Sequence, residues 1–369
     1  MLRSAEPRCQ GVFDERKGGG HSASPVHSAI VSSAVPARER WRRLFTRGAG
    51  ASGGEPAPEG ADPAMGIRLR RFAGPAAYLD QMSSLRIAHL TDQHVGRVTS
   101  VRVQRAAVAL TNLQRPDLVV LTGDFVCHSQ LYLDQLEEVV RGFEAPVIAV
   151  LGNHDHWSGA DAVKRALERG GAAVLCNAST VVTLGHERLQ VVGLDDAYTG
   201  HASLEKAVKG MRRDLPTLGL SHIAEEADGL WRHGIPLVLS GHTHAGQVTV
   251  ARLNELSIGK IAGHRYIHGL YGTRKRGEPG QGAVYVGAGI GAAVMPLRLG
   301  ERGQREVAIF ELGSEPGSFD EHHAEQVPHL GRKPSPELMA SRAAKVARNR
   351  ERRARVHRHG EGSAGGGEA

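Results

Sequence analysis

The stretch LSGHTHAGQV spans residues 239–248, and the apolar run PLVL (236–239) leads into it. A buried strand therefore gives way at once to two imidazoles, His242 and His244, on a glycine-framed turn. One histidine at such a place means little. Two at i and i+2 raise the question of what they hold, and the ends of the other apolar runs supply the context.

Outward from this point the same design recurs. LRIAHLTD (85–92), DLVVLTGD (117–124), PVIAVLGN (146–153), RLQVVGLDD (188–196) and TLGLSH (217–222) are short apolar runs that read as buried strands, like PLVLSGH (236–242). The spacing predicts helices over 102–114, 130–142, 160–169 and 223–233, with Gly170 suited to a helix end. Strands alternating with helices define an α/β architecture. Residues 246–312 are more purely strand-like, with QVTV, AVYVGAG and EVAIFEL, and predict a second sheet that is partly antiparallel.

Composition sets outer bounds. The chain has 369 residues, 40% of them hydrophobic but only 4% aromatic, so its core rests on Val, Leu, Ile and Ala. Three cysteines (Cys9, Cys127 and Cys176) form no close pair. They exclude a disulfide framework or a thiolate zinc site, and a reducing cytoplasm is the expected setting. No apolar run nears the ~18 residues that span a bilayer. SAIVSSAVPA (28–37) is too weakly apolar, and follows too long a leader, for a signal peptide. Residues 1–64 read as a disordered leader, with Met65 an alternative start, and 65–312 as the ordered domain. Residues 313–369 read as a flexible basic tail in which 342–358 carries eight Lys/Arg against Glu351. That run suits peripheral contact with anionic lipid more than deep insertion, and nucleic acid is the less expected partner.

The strand ends carry the chemistry. They read Asp92-Gln93-His94, Gly123-Asp124, Gly152-Asn153-His154-Asp155, Ser221-His222 and Gly241-His242-Thr243-His244. Ligands of open α/β sheets bind beyond the carboxyl ends of the strands, so five runs deliver carboxylates, an amide and imidazoles toward one crevice. Carboxylate, imidazole and amide donors without thiolate suit first-row divalent metals. Asp124 is the natural bridge between two cations.

Asp-x-His, Gly-Asp, Gly-Asn-His-Asp, a lone His and Gly-His-x-His, in that order, resemble the calcineurin-like metallophosphoesterases over about residues 83–312. The resemblance implies a four-layer α/β/β/α sandwich of two mixed sheets. It implies one cation on Asp92, His94, Asp124 and His244, and another on Asp124, Asn153, His222 and His242. The cations are Mn, Fe or Zn, with Mn favoured. His154 would be the catalytic histidine, Asp155 would orient it, and a metal-activated hydroxide would attack phosphorus. FVCHS after Asp124 lacks the Asp-Arg-Gly of the phosphoprotein phosphatases. GHTHAGQV and residues 269–300 resemble the bacterial membrane-associated branch that includes UDP-diacylglucosamine pyrophosphatases. That branch implies a lipid-linked nucleotide substrate met at the cytoplasmic membrane face. The rivals are a phosphodiesterase for cyclic nucleotides or other soluble diesters, and a non-enzymatic scaffold.

Other residues have plainer readings. Asp195 and Asp196 suit capping or a turn. His156 and Trp157 are candidates for the substrate entrance, and His201, His264 and His268 for substrate or surface contacts. GAGIG (287–291) lacks the strand–helix context of a dinucleotide fingerprint and reads as a tight turn. Arg274, Lys275 and Arg276 form a basic loop, suited equally to phosphate or to solvent.

Overall fold

The computed structural model describes residues 61–62, 65–127, 129–246, 263–276, 280–292, 304–319, 321, 324–331 and seven positions between 337 and 351. Two sheets stack face to face, each with helices on its outer side. The first holds β1 (Ala61–Asp62), β2 (Ile67–Ala73), β3 (Leu85–Leu90), β4 (Leu118–Thr122), β5 (Val147–Val150), β6 (Ala172–Val174) and β13 (Arg305–Leu312), in the order β1-β2-β13-β3-β4-β5-β6. The second holds β7 (Ala178–Leu184), β8 (Glu187–Gly193), β9 (Thr217–Leu220), β10 (Leu237–Ser240), β11 (Gly269–Gly272) and β12 (Ala283–Val286), in the order β11-β12-β10-β9-β8-β7. The helices between them include α1 (Val101–Leu113), α2 (Leu133–Arg141), α3 (Asn153–Ser158), α4 (Ala160–Arg169), α5 (Leu204–Val208) and α6 (Ala227–Arg232), with short 3-10 turns at Ala76–Tyr78, Ala224–Glu226 and His244–Gly246.

Three apolar layers follow from strand alternation. In β4, Val119 and Leu121 face α1, α2 and α4, packing with Ala107, Leu136, Val140, Val163 and Leu167. Leu118 and Val120 face the other way, into the space between the sheets, against Leu189, Val191, Leu218, Leu220 and Leu239. The far face of the second sheet buries Val192, Val238, Val284 and Val286 under Ala207, Ala227, Leu230 and Trp231 of α5 and α6. Strands buried on both faces are near-continuous apolar runs, which is why the sequence advertises them. The expected four-layer sandwich of two mixed sheets is the observed fold. Its pairings are parallel from β3 through β6 and among β8, β9, β10 and β12. They are antiparallel at β13–β3, β7–β8, β11–β12 and β1–β2.

All six predicted strands form, each ending a residue or more before its polar tip. Sequence reading did not single out β6, β7 or β2, and β2 is the most heavily disguised. IRLRRFA (67–73) pairs in parallel with β13 along its whole length, although three arginines break its apolar pattern. Arg70 is accommodated inside: its Nε donates to Glu306 Oε2 at 2.7 Å, and both side chains are buried. Glu306 also accepts from Tyr285 Oη and Ala288 N, both at 2.8 Å, and lies 3.1 Å from His268 Nε2. His268 is therefore a core histidine of this polar knot.

Contacts with the strands continue beyond residue 312. Glu321 and Glu325 pair with Arg274, which additionally donates to the Ala73 carbonyl at 3.0 Å. Gln326 N donates to Leu270 O at 2.8 Å, and His329 N to Arg265 O at 2.9 Å. Residues 324–331, expected within a flexible tail, thus lie along the β11 edge. Arg274 is a buried clamp and neither a phosphate loop nor a solvated residue. The basic run 342–358 lies almost wholly outside the described residues, as do 1–60 and QVTV (247–250). Among the described residues, no helix is long and apolar enough to cross a membrane.

His268 and Arg70 hold the Glu306 carboxyl well below the usual carboxylate range, against the opposing effect of burial. A depressed folded value stabilises the protein above the unfolded glutamate value and loses that contribution as pH falls through the folded one. The difference in unfolding free energy between wild type and Glu306→Gln is expected to be constant above about pH 5 and to shrink on further acidification, measured by urea denaturation.

Candidate metal centre

The parallel strands of both sheets end at one edge, and the loops leaving them run together. Asp92 N donates to Gly123 O at 3.0 Å, His94 N to Asp124 O at 2.9 Å and Val95 N to Phe125 O at 2.7 Å, so the β3 and β4 loops travel side by side. Asp155, buried in the first turn of α3, ties them to β5. Its Oδ2 accepts from Asp124 N and Gly152 N, each at 2.9 Å, and its Oδ1 accepts from Phe125 N at 2.8 Å and Val126 N at 3.3 Å. Both oxygens are thus engaged by the main chain. Asp155 orients the peptide that carries Asp124 and the turn that carries Asn153 and His154, a different task from aligning the His154 ring. Burial and the nearby Asp124 charge push its carboxyl up to about 7, while these N–H groups pull the other way.

Asp124 occupies the middle. Its Oδ1 accepts from His154 N at 2.8 Å. Its Oδ2 lies 3.3 Å from His222 Nε2, 3.7 Å from His94 Nε2 and 3.9 Å from His154 Nε2. On one side, Asp92, His94, Asp124 and His244 bring four donor atoms within 4.8 Å of one another; on the other, Asp124, His222 and His242 do the same. Asn153 lies beside the latter group, and its Oδ1 is buried with no hydrogen-bond partner. The structure thus brings six of the seven residues singled out as ligands, Asp92, His94, Asp124, His222, His242 and His244, into two groups that share Asp124. His154 stands next to them, its ring edge-on to His94 at 4.8 Å between centroids.

These groups fit divalent cations for reasons internal to the chain. His94 Nε2 and His244 Nε2 converge to 2.9 Å, and Asp92 Oδ1 faces them at 3.9 and 3.3 Å. Such an aggregate of lone pairs, shielded from water, calls for positive charge at its centre. His222 Nδ1 donates to the Thr122 carbonyl at 2.7 Å, which fixes the tautomer and leaves Nε2 turned toward Asp124. Electrostatics agree. Burial and the Asp124 charge raise Asp92 to about 6, although His222 counteracts this. Burial acts against a charged His222, but Asp124, Asp92 and Asp196 lift it to about 10. Burial and the neighbouring imidazoles hold His94 and His242 well below the usual range. Asp124 is held well below its usual value by His222 and His154, in spite of its burial.

The backbone is bent to make this possible. Asp92 (φ 50), His94 (φ 43), Asp124 (φ 55), His242 (φ 77) and His244 (φ 49) all adopt left-handed conformations. Each such residue costs on the order of 1–3 kcal/mol, so the strain is concentrated on the donor residues themselves. Gly241 permits the closest approach: a Cβ there would collide with Thr91 Oγ1 and Asp92 Oδ2. Asp92 Oδ2 also receives the His242 N–H at 3.0 Å, which locks the last loop onto the first.

Residues 85–246 match the sequence profile of the calcineurin-like phosphoesterases. Over that stretch the chain is similar to the calcineurin-like phosphoesterases. Among its relatives is the phosphodiesterase YaeI of Escherichia coli, 29% identical over 64% of this chain and 85% of that protein. Another is the uncharacterized metallophosphoesterase YkuE of Bacillus subtilis, 27% identical over 62% of this chain and 79% of its own. A solved 5'-nucleotidase precursor from Thermus thermophilus superposes with a TM-score of 0.42 at 14% identity, covering 74% of this chain and 60% of that one. The matching profile and the phosphodiesterase relative are consistent with a hydrolase.

An arc of rings borders the centre. Trp157 lies 4.8 Å from His154 and 5.9 Å from Tyr198; Tyr198 lies 5.1 Å from His242, and His264 5.1 Å from His242 on the other side. Trp157 and His264 are thus at the site, as two of the sequence readings allowed. His156 and His201 instead stack on each other at 4.1 Å and brace α3 against the loop after β8, with His156 Nε2 at 2.7 Å from Asp195. Asp196 closes a turn by accepting from Thr199 N and Oγ1, both at 2.6 Å. GAGIG also forms a close-packed turn, with Gly291 N donating to Asp92 O at 2.7 Å.

Sequence reading missed Tyr198 and Cys127. Cys127 Sγ lies 3.2 Å from His94 Nδ1. Burial and the surrounding aspartates push its thiol up to about 12, which explains why it is no obvious reactive cysteine. The only sequence signal was its position three residues after Asp124.

Gly241→Ala is expected to yield folded protein, destabilised by about 1–3 kcal/mol from overpacking, with bound metal well below that of wild type. Thermal melts and elemental analysis of the same samples check both parts.

Proposed function

We propose that this chain hydrolyses phosphodiester or pyrophosphate bonds at a dinuclear centre. Asp92, His94, Asp124 and His244 hold one divalent cation, and Asp124, Asn153, His222 and His242 hold the other. The observation that carries this reading is the placement of Asp124 Oδ2 between two donor groups, with His154 Nε2 3.9 Å away. Two bound cations supply Lewis acidity toward phosphate oxygens and an activated water. The donor set accepts Mn, Fe or Zn, and Mn is the first choice for loading.

The rest is the work of the chain. His154 gives a proton to the oxygen that leaves phosphorus. Its backbone is tied to Asp124 Oδ1 at 2.8 Å, and its ring is packed between His94 and Trp157, so it meets the phosphate in one orientation. Asp155 keeps the three loops in register. Strained ligand loops are held by these bonds before substrate arrives, so little reorganisation accompanies the reaction.

For the substrate, the ring arc supports an organic group beside the phosphate. Trp157 and Tyr198 offer faces to a planar base, with the phosphates lying toward His242 and His154. A lipid-linked nucleotide such as UDP-diacylglucosamine, met at the cytoplasmic face of a membrane, combines such a base with a pyrophosphate. The likeness to YaeI, named a phosphodiesterase, supports the alternative of a soluble diester, cyclic nucleotides included.

Purified protein is expected to hydrolyse bis-p-nitrophenyl phosphate only when loaded with a divalent metal, Mn²⁺ being tried first. His154→Ala should lower kcat by about 10²–10⁴-fold while retaining both metals. A metal-loaded wild type with no diesterase or pyrophosphatase activity on any of these substrates would refute the reading. Trp157→Ala and Tyr198→Ala are expected to raise KM for nucleotide substrates more than for the p-nitrophenyl diester. Detergent-dispersed UDP-diacylglucosamine compared with cyclic nucleotides separates the two substrate classes by kcat/KM.

A further inference from the structure

His94 has two nitrogens, and each meets a different environment. Nε2 faces Asp92, Asp124 and His244, the donor group of one cation. To serve that cation it must present a lone pair, so the imidazole proton must sit on Nδ1. A fully buried Nδ1–H requires an acceptor. The atom in place is Cys127 Sγ at 3.2 Å, and the Ala292 carbonyl lies 3.7 Å from the same sulfur. A chain of two hydrogen bonds results: the imidazole N–H donates to sulfur, and the thiol S–H donates to the carbonyl. Metal-binding histidines usually give this second N–H to a carboxylate, a carbonyl or water. Sulfur is a weaker acceptor than any of these. The Val95↔Val126 bridge holds the two loops in the register that makes the contact.

We infer that Cys127 is a positioning residue for His94: its sulfur receives the Nδ1–H, fixes the tautomer and so aims Nε2 at the cation. This role rests on the dinuclear reading above. A weak acceptor leaves the imidazole less electron-rich than a carboxylate would, so the cation on the His94 side is held less tightly than it would be with a carboxylate in place of the sulfur.

The test is calorimetric titration of Mn²⁺ into metal-free full-length protein. Wild type is expected to show two binding steps. In Cys127→Ala one step weakens by about 10-fold or more while the other stays within about 2-fold. Cys127→Asp restores or tightens the same step, because a carboxylate accepts the proton more strongly, and Cys127→Ser, nearest in size, falls between. Equal weakening in all three variants would reduce the residue to packing and overturn the inference. So would unchanged binding in Cys127→Ala. Cd²⁺ loading provides a second readout: an intense near-ultraviolet thiolate-to-metal band in wild type would make the sulfur a ligand and defeat the proposal. If wild type binds no cation at all, the dinuclear reading itself fails. If it binds two and the Ala variant binds them alike, only the role of Cys127 fails.

Discussion

Four main-chain N–H groups converge on one buried carboxylate, that of Asp155, and the site depends on that convergence. The β4 loop and the β5 turn belong to separate strands, and each presents N–H groups that no sheet ladder satisfies. Left buried and unpaired, each would cost about 1–3 kcal/mol. A single carboxylate satisfies all four and, in doing so, fixes the separation between Asp124 and the Asn153–His154 turn. The donor geometry around Asp124 is therefore a consequence of main-chain hydrogen bonding, set before any cation is considered.

Stability and function pull apart here. Five donor residues take left-handed backbone conformations, and glycines stand where a single added carbon would strike a carboxylate. The three apolar layers offset that expense, with the strands of both sheets packed on each face. The division of labour follows the chain: apolar runs make the frame, and the two or three residues after each run hold the polar, strained chemistry.

That division explains what was legible. Buried strands such as LVVLT are apolar at every position, and their abrupt polar endings marked the site, so Asp92, Asp124, His222 and His242 could be named from sequence. Strand β2 was hidden because Arg68, Arg70 and Arg71 obscure its pattern, and only a partner 236 residues away explains the buried Arg70. Cys127 and Tyr198 were hidden for a related reason. Each matters through a neighbour from another loop, and no local periodicity encodes such a meeting. The role of Asp155 was visible as a residue but not as an interaction, since main-chain partners leave no trace in side-chain patterns.

The position of β13 has a consequence for how the molecule is made. It pairs with β2 on one side and β3 on the other, so the latest strand in the described chain separates two of the earliest. Any folding order that follows synthesis leaves facing edges of β2 and β3 open until residue 312 is free. Long-range pairing of this kind slows folding and exposes strand edges while it waits. Arg68 and Arg71 flank that gap on β2, and charge on a waiting edge discourages it from pairing with another molecule. The arginines that conceal the strand from a reader also guard it during assembly.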